Sequence, residues 1–144
     1  MKRKIIQSIK GFNDILPDKI DLYYFIEDAI KQLSYQYCLK EIRVPLIEKS
    51  DLFNRSIGEE TDIVTKEMYT FNDKGGEEIT LRPEGTAGIV RAIISNGLSQ
   101  NMPFKAFYHG PMFRYERPQK GRLRQFHQIG IELLGTISEQ ADIE

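Results

Sequence analysis

One cysteine, Cys38, and two histidines, His109 and His127, stand in a chain of 144 residues. A lone thiol excludes an internal disulfide framework, and these three side chains are too few for a four-ligand zinc site. Long apolar runs are missing as well: nothing approaches the roughly 20 residues that a membrane-spanning helix needs. The basic start, Met1-Lys-Arg-Lys4, has no apolar stretch behind it, which argues against a secretory signal. An excess of either charge is also lacking, since 20 Lys+Arg face 21 Asp+Glu and leave a net charge of −1. That balance excludes a uniformly basic nucleic-acid coat and leaves room only for a local patch. There is no Gly-x-Gly-x-x-Gly, no P-loop and no Ser/His/Asp arrangement, so a Rossmann or P-loop nucleotide site has no support. Internal repeats and low-complexity tracts are absent. With 40% hydrophobic and 28% charged residues, what remains is the composition of one soluble globular domain able to bury a core.

Periodicity orders the first two-thirds. Asp14-Ile-Leu-Pro-Asp18 reads as a loop feeding a helix, with Asp18 as N-cap and Asp21 in the first turn. Leu22, Phe25, Ile26, Ala29, Ile30, Leu33 and Tyr37 then recur at helical spacing. Glu41–Ile47 alternates at first and reads as a strand in which Pro45 prefers an edge, an end or a bulge. Ser50 or Asp51 caps a short helix ending near Gly58. Residues 66–71 and 78–82 read as two strands joined by Asn72-Asp-Lys-Gly-Gly76. Pro83-Glu-Gly-Thr86 leads into a helix with Ala87, Val90, Ile94 and Leu98 on one stripe and Gly97 at its end.

The last third carries the chemistry. Residues 104–115 read as a long strand bending at Gly110-Pro111, residues 117–122 as a polar loop, and residues 125–134 as a second strand. They make an antiparallel hairpin with a basic tip. After Gly135, Ser138–Glu144 has the look of a helix's opening turn, at which the chain stops; a fragment whose next element is missing is the expected reading, a frayed natural tail the other. Side chains alternate along a strand. Phe126, Gln128, Gly130 and Glu132 therefore share one face, while His127, Ile129, Ile131 and Leu133 form what reads as an ordinary core face. Met112, Arg114 and Glu116 share a face of the first strand, and if the two polar faces coincide the sheet displays Arg114, Glu116, Gln128 and Glu132 together. The plain alternative is the solvated side of a half-exposed sheet.

Five positive residues, Arg114, Arg117, Lys120, Arg122 and Arg124, stand beside one negative, Glu116. Guanidinium forks match phosphate oxygens, and Gly121 lets the backbone curve closely around a ligand. A polyphosphate or an RNA backbone is the partner such a loop suits; a solvated charged turn is the other reading. Glu84, where strand gives way to helix, serves either to hold an ammonium group or to favour the helix N-terminus, and Thr86 has its own plain reading as an N-cap. Cys38 reads as semi-buried packing, and the two histidines as structural or surface residues.

Together these segments resemble the class II aminoacyl-tRNA synthetases, and within them the histidyl-tRNA synthetase family, over essentially the whole chain. Lys10-Gly-Phe-Asn-Asp14 and Leu16-Pro17 open the likeness, and the helix and strand reaching Pro45 look like the family's first motif. Thr80-Leu-Arg-Pro-Glu-Gly-Thr-Ala-Gly88 is similar to its histidine-binding segment. The run from Gly110 to Gln128, followed by Gly130 and Glu132, resembles its second motif. The resemblance implies an α+β fold, a mostly antiparallel sheet flanked by helices, with residues 1–144 forming the N-terminal part of a class II catalytic domain. It implies a histidine–tRNA ligase, a cytoplasmic homodimer without membrane association. This enzyme uses ATP and Mg²⁺ to make histidyl-adenylate, then passes the amino acid to the 3′ end of tRNA(His).

It also implies roles by position. Arg114 contacts the α-phosphate and the histidine carboxylate, Glu116 accepts from the adenine amino group, Phe126 stacks on the base, and Arg122 holds the γ-phosphate end. Glu84, Thr86 and Gln128 bind the α-ammonium, Glu132 reads the imidazole, and the loop at Arg117 and Gln119 approaches the tRNA acceptor end. No resident metal site is implied. The family's third motif, its histidine-specific arginine and tyrosine segment and its anticodon-binding domain have no counterpart in the 144 residues. These residues are therefore expected to hold about half of an active site and to show little or no aminoacylation alone. The rival with the same fold is the non-catalytic regulatory subunit of ATP phosphoribosyltransferase. It has no need of a tRNA-facing loop, so the retained Arg114, Glu116, Arg122, Gln128 and Glu132 favour the synthetase.

Overall fold

The computed structural model describes residues 5–58 and 61–144; the basic start, residues 1–4, lies outside them. Helix α1 spans Pro17–Gln36, with Leu16 at the N-cap position and no side-chain cap. Pro17 starts it because its fixed φ suits the first turn and its missing N–H would have no helical partner there. Asp18 is therefore a first-turn residue, where its charge favours the dipole, and not the cap expected of it. The expected strand over residues 41–47 divides in two. β1 (Lys40–Glu41) ends before Pro45, and β2 (Ile47–Lys49) begins after it. Helix α2 (Ser50–Ile57) follows directly, with Lys49 at the N-cap position.

A π-helical turn over Ile63–Glu67 occupies what alternation read as the start of a strand, so β3 begins only at Tyr69 and ends at Asn72. Asp73 organises the turn that follows: its Oδ1 accepts from the backbone N–H of Gly75 at 2.7 Å and of Glu77 at 2.9 Å. The chain then runs through β4 (Glu78–Leu81) into α3 (Thr86–Ser95), beyond which Gly97 adopts the left-handed φ of 69° common after a helix end. A 3₁₀ turn (Leu98–Gln100) leads to β5 (Phe104–Phe113) and β6 (Gln125–Leu134), and a short α4 (Glu139–Ile143) closes the described chain.

The strands form two three-stranded sheets, ordered β1-β5-β6 and β2-β4-β3. Among the described residues only the β1–β5 pair is parallel. The β5–β6 ladder runs unbroken from Phe104 opposite Leu134 to Phe113 opposite Gln125, passing through Gly110 and Pro111 without losing register. Arg82, at the end of β4, ties the two sheets together. It is buried, and its guanidinium donates to the carbonyls of Pro111 (3.0 Å) and Val44 (3.1 Å). Phe113 N–H donates back to the Arg82 carbonyl.

The core lies on the side of the main sheet opposite to the one expected. Ile89 and Ile93 of α3 pack on Tyr108 and Met112 of β5, with Phe126 and Leu134 of β6 at the edge of the cluster. Helix α3 covers this face because Phe126 and Leu134 of β6 and Phe104, Tyr108 and Met112 of β5 present their bulk to it. The other face, read as core from His127, Ile129, Ile131 and Leu133, turns toward α1 and is only partly covered: Ile129 remains 40% and Ile131 55% exposed. Tyr23 meets the His127 ring edge-on at 5.0 Å, but Leu22, Phe25 and Ile26 of α1 lie open. Cys38 is exposed rather than packed, at a positive φ of 55° just after α1. No helix among the described residues is long and apolar enough to cross a membrane.

Candidate active site

The β5–β6 register decides which side chains meet. Residues directly opposite each other in an antiparallel pair project to the same face. Tyr108 lies opposite Gly130, Gly110 opposite Gln128, Met112 opposite Phe126, and Ala106 opposite Glu132. The two polar faces inferred from alternation therefore coincide. Beyond Phe113 the chains stay paired, since Arg114 N–H donates to the Arg124 carbonyl at 2.9 Å. Arg114 accordingly keeps its place on that face, with its guanidinium carbon 5.2 Å from the centre of the Phe126 ring. Its Nε donates to the Pro83 carbonyl at 2.9 Å, a bond that leaves both Nη groups without a partner among the described residues.

The arm beyond Arg114 is braced from the N-terminal segment. The Gly11 carbonyl accepts from the N–H groups of both Arg124 (2.8 Å) and Gln125 (3.2 Å). Gly11 has a φ of +90°, and a Cβ there would come within 2.7 Å of the Arg124 side chain. Arg124 in turn stacks on Tyr115 at 3.7 Å and donates to the Glu116 carbonyl. Glu116 accepts from Arg122 at 3.3 Å. Between them Gln119 and Arg122 exchange backbone bonds around Gly121, whose φ of +81° at the third position is what a type II turn demands. Arg117 and Gln119 lie exposed on this tip.

At the other end of the face, the Glu84 carboxylate accepts from the N–H groups of Thr86 (2.5 Å) and Ala87 (2.9 Å). It therefore caps α3, in keeping with the plainer expectation for Glu84 at the helix N-terminus, while the plain N-cap expectation for Thr86 does not hold. Thr86 instead donates its hydroxyl to Glu132 Oε1 at 2.7 Å, joining the start of α3 to β6. Gln128, midway along the strand, has a buried Oε1 with no hydrogen-bond partner among the described residues. A groove of about 640 Å³ between α2 and α3, lined by Leu52, Ile57, Ile63, Val90 and Ile94, opens beside Glu84 and Thr86.

Two site residues escaped the sequence reading. Tyr108 is in phase with Met112 and Arg114, so period-two counting extended back along β5 would have placed it on the face. Arg82 stands in the quoted histidine-binding segment, but nothing local distinguishes a buried tie from a solvated charge. Its burial lowers its pKa, the Coulomb effects of Tyr108 and Glu48 opposing.

From Phe126 to Glu132 the strand advances six steps, about 20 Å at the usual rise. A guanidinium and an aromatic ring stand at one end, a carboxylate–hydroxyl pair at the other, and an unsatisfied amide oxygen between. The model of the histidyl-tRNA synthetase family matches residues 11–144. The chain belongs to the histidyl-tRNA synthetase family. It is 56% identical, over all 144 residues, to a histidine–tRNA ligase of Halorhodospira halophila, of which it covers 34%. It superposes with a TM-score of 0.80 on the apo histidyl-tRNA synthetase of S. aureus at 41% identity, covering 96% of this chain and 31% of that one. A structure described as an ATP phosphoribosyltransferase regulatory subunit/histidyl-tRNA synthetase from Bacillus halodurans C gives the same TM-score at 23% identity, which shows the shared fold alone. The chain thus spans about a third of the length of these histidyl-tRNA synthetase relatives.

Proposed function

We propose that this chain is the N-terminal part of the catalytic domain of a histidine–tRNA ligase. In this reading the shared β5–β6 face binds ATP at its Arg114–Phe126 end and histidine at its Glu132–Thr86 end. The observation that carries the reading is the buried, unpartnered Oε1 of Gln128 between those ends. Native proteins rarely leave such an atom unsatisfied, and an ammonium group supplies the missing donor.

The chemistry needs little from the protein beyond placement. Histidine's carboxylate is ionised at neutral pH and requires no base. Its oxygen attacks the α-phosphorus, the bond to the bridging oxygen breaks, and pyrophosphate leaves without a proton being moved. Arg114, steadied through Nε, has two Nη groups for the α-phosphate and the substrate carboxylate, which aligns the reactants and offsets developing charge. Glu116 accepts from the adenine amino group, Phe126 stacks on the ring, and Arg122 exchanges its bond to Glu116 for the γ-phosphate end. Glu84 and Thr86 join Gln128 around the α-ammonium, and Glu132 keeps its second oxygen for the imidazole. Arg117 and Gln119 meet the acceptor end of tRNA(His). The described residues hold no group of three His, Cys, Asp or Glu fit to hold a metal. In this reading Mg²⁺ accompanies ATP's phosphates, where it would offset their charge.

The apolar side chains left open on α1 and β6, Phe25 and Ile131 among them, support a homodimer. A cytoplasmic setting follows from the proposed tRNA substrate. Histidine-dependent exchange of ATP with pyrophosphate by the full-length protein tests the reading. Absence of exchange alongside a folded protein would favour the regulatory-subunit alternative. The 144 residues alone are expected to exchange little, and rates near those of the full-length protein would contradict this division of the site.

A further inference from the structure

Tyr108 lies opposite Gly130 in the β5–β6 ladder and is 4% exposed. A Cβ on Gly130 would stand 2.2 Å from its Cζ and 2.3 Å from its hydroxyl. A Cβ on Gly85, in the turn before α3, would stand 2.2 Å from its Cε2 and 2.8 Å from the same hydroxyl. No real side chain tolerates such distances, so the far edge of the ring occupies the room that both glycines leave free. The ring is held in a slot whose two walls belong to different parts of the site. One wall precedes Thr86, and the other lies two residues from Glu132 on the same face.

The side-chain bond across this junction, Thr86 to Glu132, is exposed. A single bond in contact with water contributes little net, too little to hold a turn against a strand by itself. The wedged ring supplies the buried contact that the bond lacks. We propose that Tyr108 is a positioning residue: its ring, locked between Gly85 and Gly130, holds the Glu84–Thr86 turn in line with Glu132 before substrate arrives. This rests on the ligase reading above and extends it to a residue that need not touch histidine. Prior alignment spares the substrate the cost of ordering these groups, so its loss is felt in histidine binding and not in ATP binding. A phenol is well suited to this position because it stays neutral there. Burial raises its pKa, with Glu132 and Glu84 acting in the same direction against Thr86 and Arg82.

Tyr108→Phe, which keeps the ring, and Gly130→Ala, which drives it from the slot, are compared with the unaltered full-length protein by pyrophosphate exchange and thermal melting. Losing the hydroxyl, which fills the room beside both glycines, is expected to raise the KM for histidine about fivefold, as about 1 kcal/mol of lost packing would. Gly130→Ala is expected to raise it further. In both, the KM for ATP stays within about twofold, a split that general loosening of the fold would not produce. Equal changes in both constants, or no change in either for Tyr108→Phe, would overturn the positioning role. Should Gly130→Ala fail to fold, the conservative variant decides alone. No histidine-dependent exchange by the unaltered protein would be a different failure, that of the ligase reading, and the positioning role would fall with it.

Discussion

Arg82 reaches from the end of one sheet to the Pro111 carbonyl in the middle of the other, at 3.0 Å. With its second bond to Val44, this buried guanidinium fastens together the two halves of the fold. Directly beside it, Gly110 has a φ of +146°, and a Cβ there would fall 2.8 Å from Arg82 Nη2. The glycine before Pro111 therefore answers both to clearance and to a backbone angle that other residues rarely adopt.

Replacing Arg82 with Leu should orphan two carbonyls, at about 1–3 kcal/mol each. Thermal melting of the full-length protein should show a clear loss of stability. Gly110→Ala should destabilise in the same direction, through both the clash and the backbone strain. A melting temperature unchanged in Arg82→Leu would refute the tie.

Arg114→Ala should lower pyrophosphate exchange by about 100-fold or more, the usual cost of removing a charge-stabilising donor. Stability should fall only by about 1 kcal/mol, since one bond to the Pro83 carbonyl is lost. Wild-type exchange rates would remove Arg114 from the phosphate site.

Gln128→Met separates function from stability. It removes a buried acceptor that has no partner, so the melting temperature should hold or rise, while the KM for histidine climbs about tenfold and that for ATP does not. Parallel weakening of both substrates would contradict the assignment.

Alkaline titration followed by tyrosinate absorbance should show phenols ionising above the ordinary value of 10. Burial is the main cause for both Tyr69 and Tyr108. Because the unfolded chain loses these protons first, stability should be constant below about pH 10 and fall as pH rises beyond it. Tyr108→Phe should delete part of the late absorbance; an unchanged titration curve would show that the phenol is not sheltered.

Much of this was legible in the chain because it depends on local periodicity. β6 begins and ends where the alternation does, and the meeting of Arg114 with Phe126 follows from period two on both strands. What alternation lacks is a sense of which face a distant helix will cover. Ile129 and Ile131 look like core by composition, yet α3 packs on the opposite side, where Tyr108 and Met112 offer bulk and Gly130 offers room. The capping of α3 was hidden for a related reason. Glu84 and Thr86 are both competent, and only the three-dimensional reach of Glu132 draws the Thr86 hydroxyl away. The π-helical turn over Ile63–Glu67 likewise has no signature in a pattern tuned to periods of 2 and 3.6.

The Gly11 carbonyl, which receives two N–H groups from the strand leading to Phe126, has a practical corollary for anyone handling the protein. Trimming the first dozen residues, as is routine when a leading segment looks dispensable, would strip the arm proposed to face adenine of its backstop. A purification handle is safer placed elsewhere, and nucleotide affinity becomes an inexpensive gauge of whether that early stretch is properly seated.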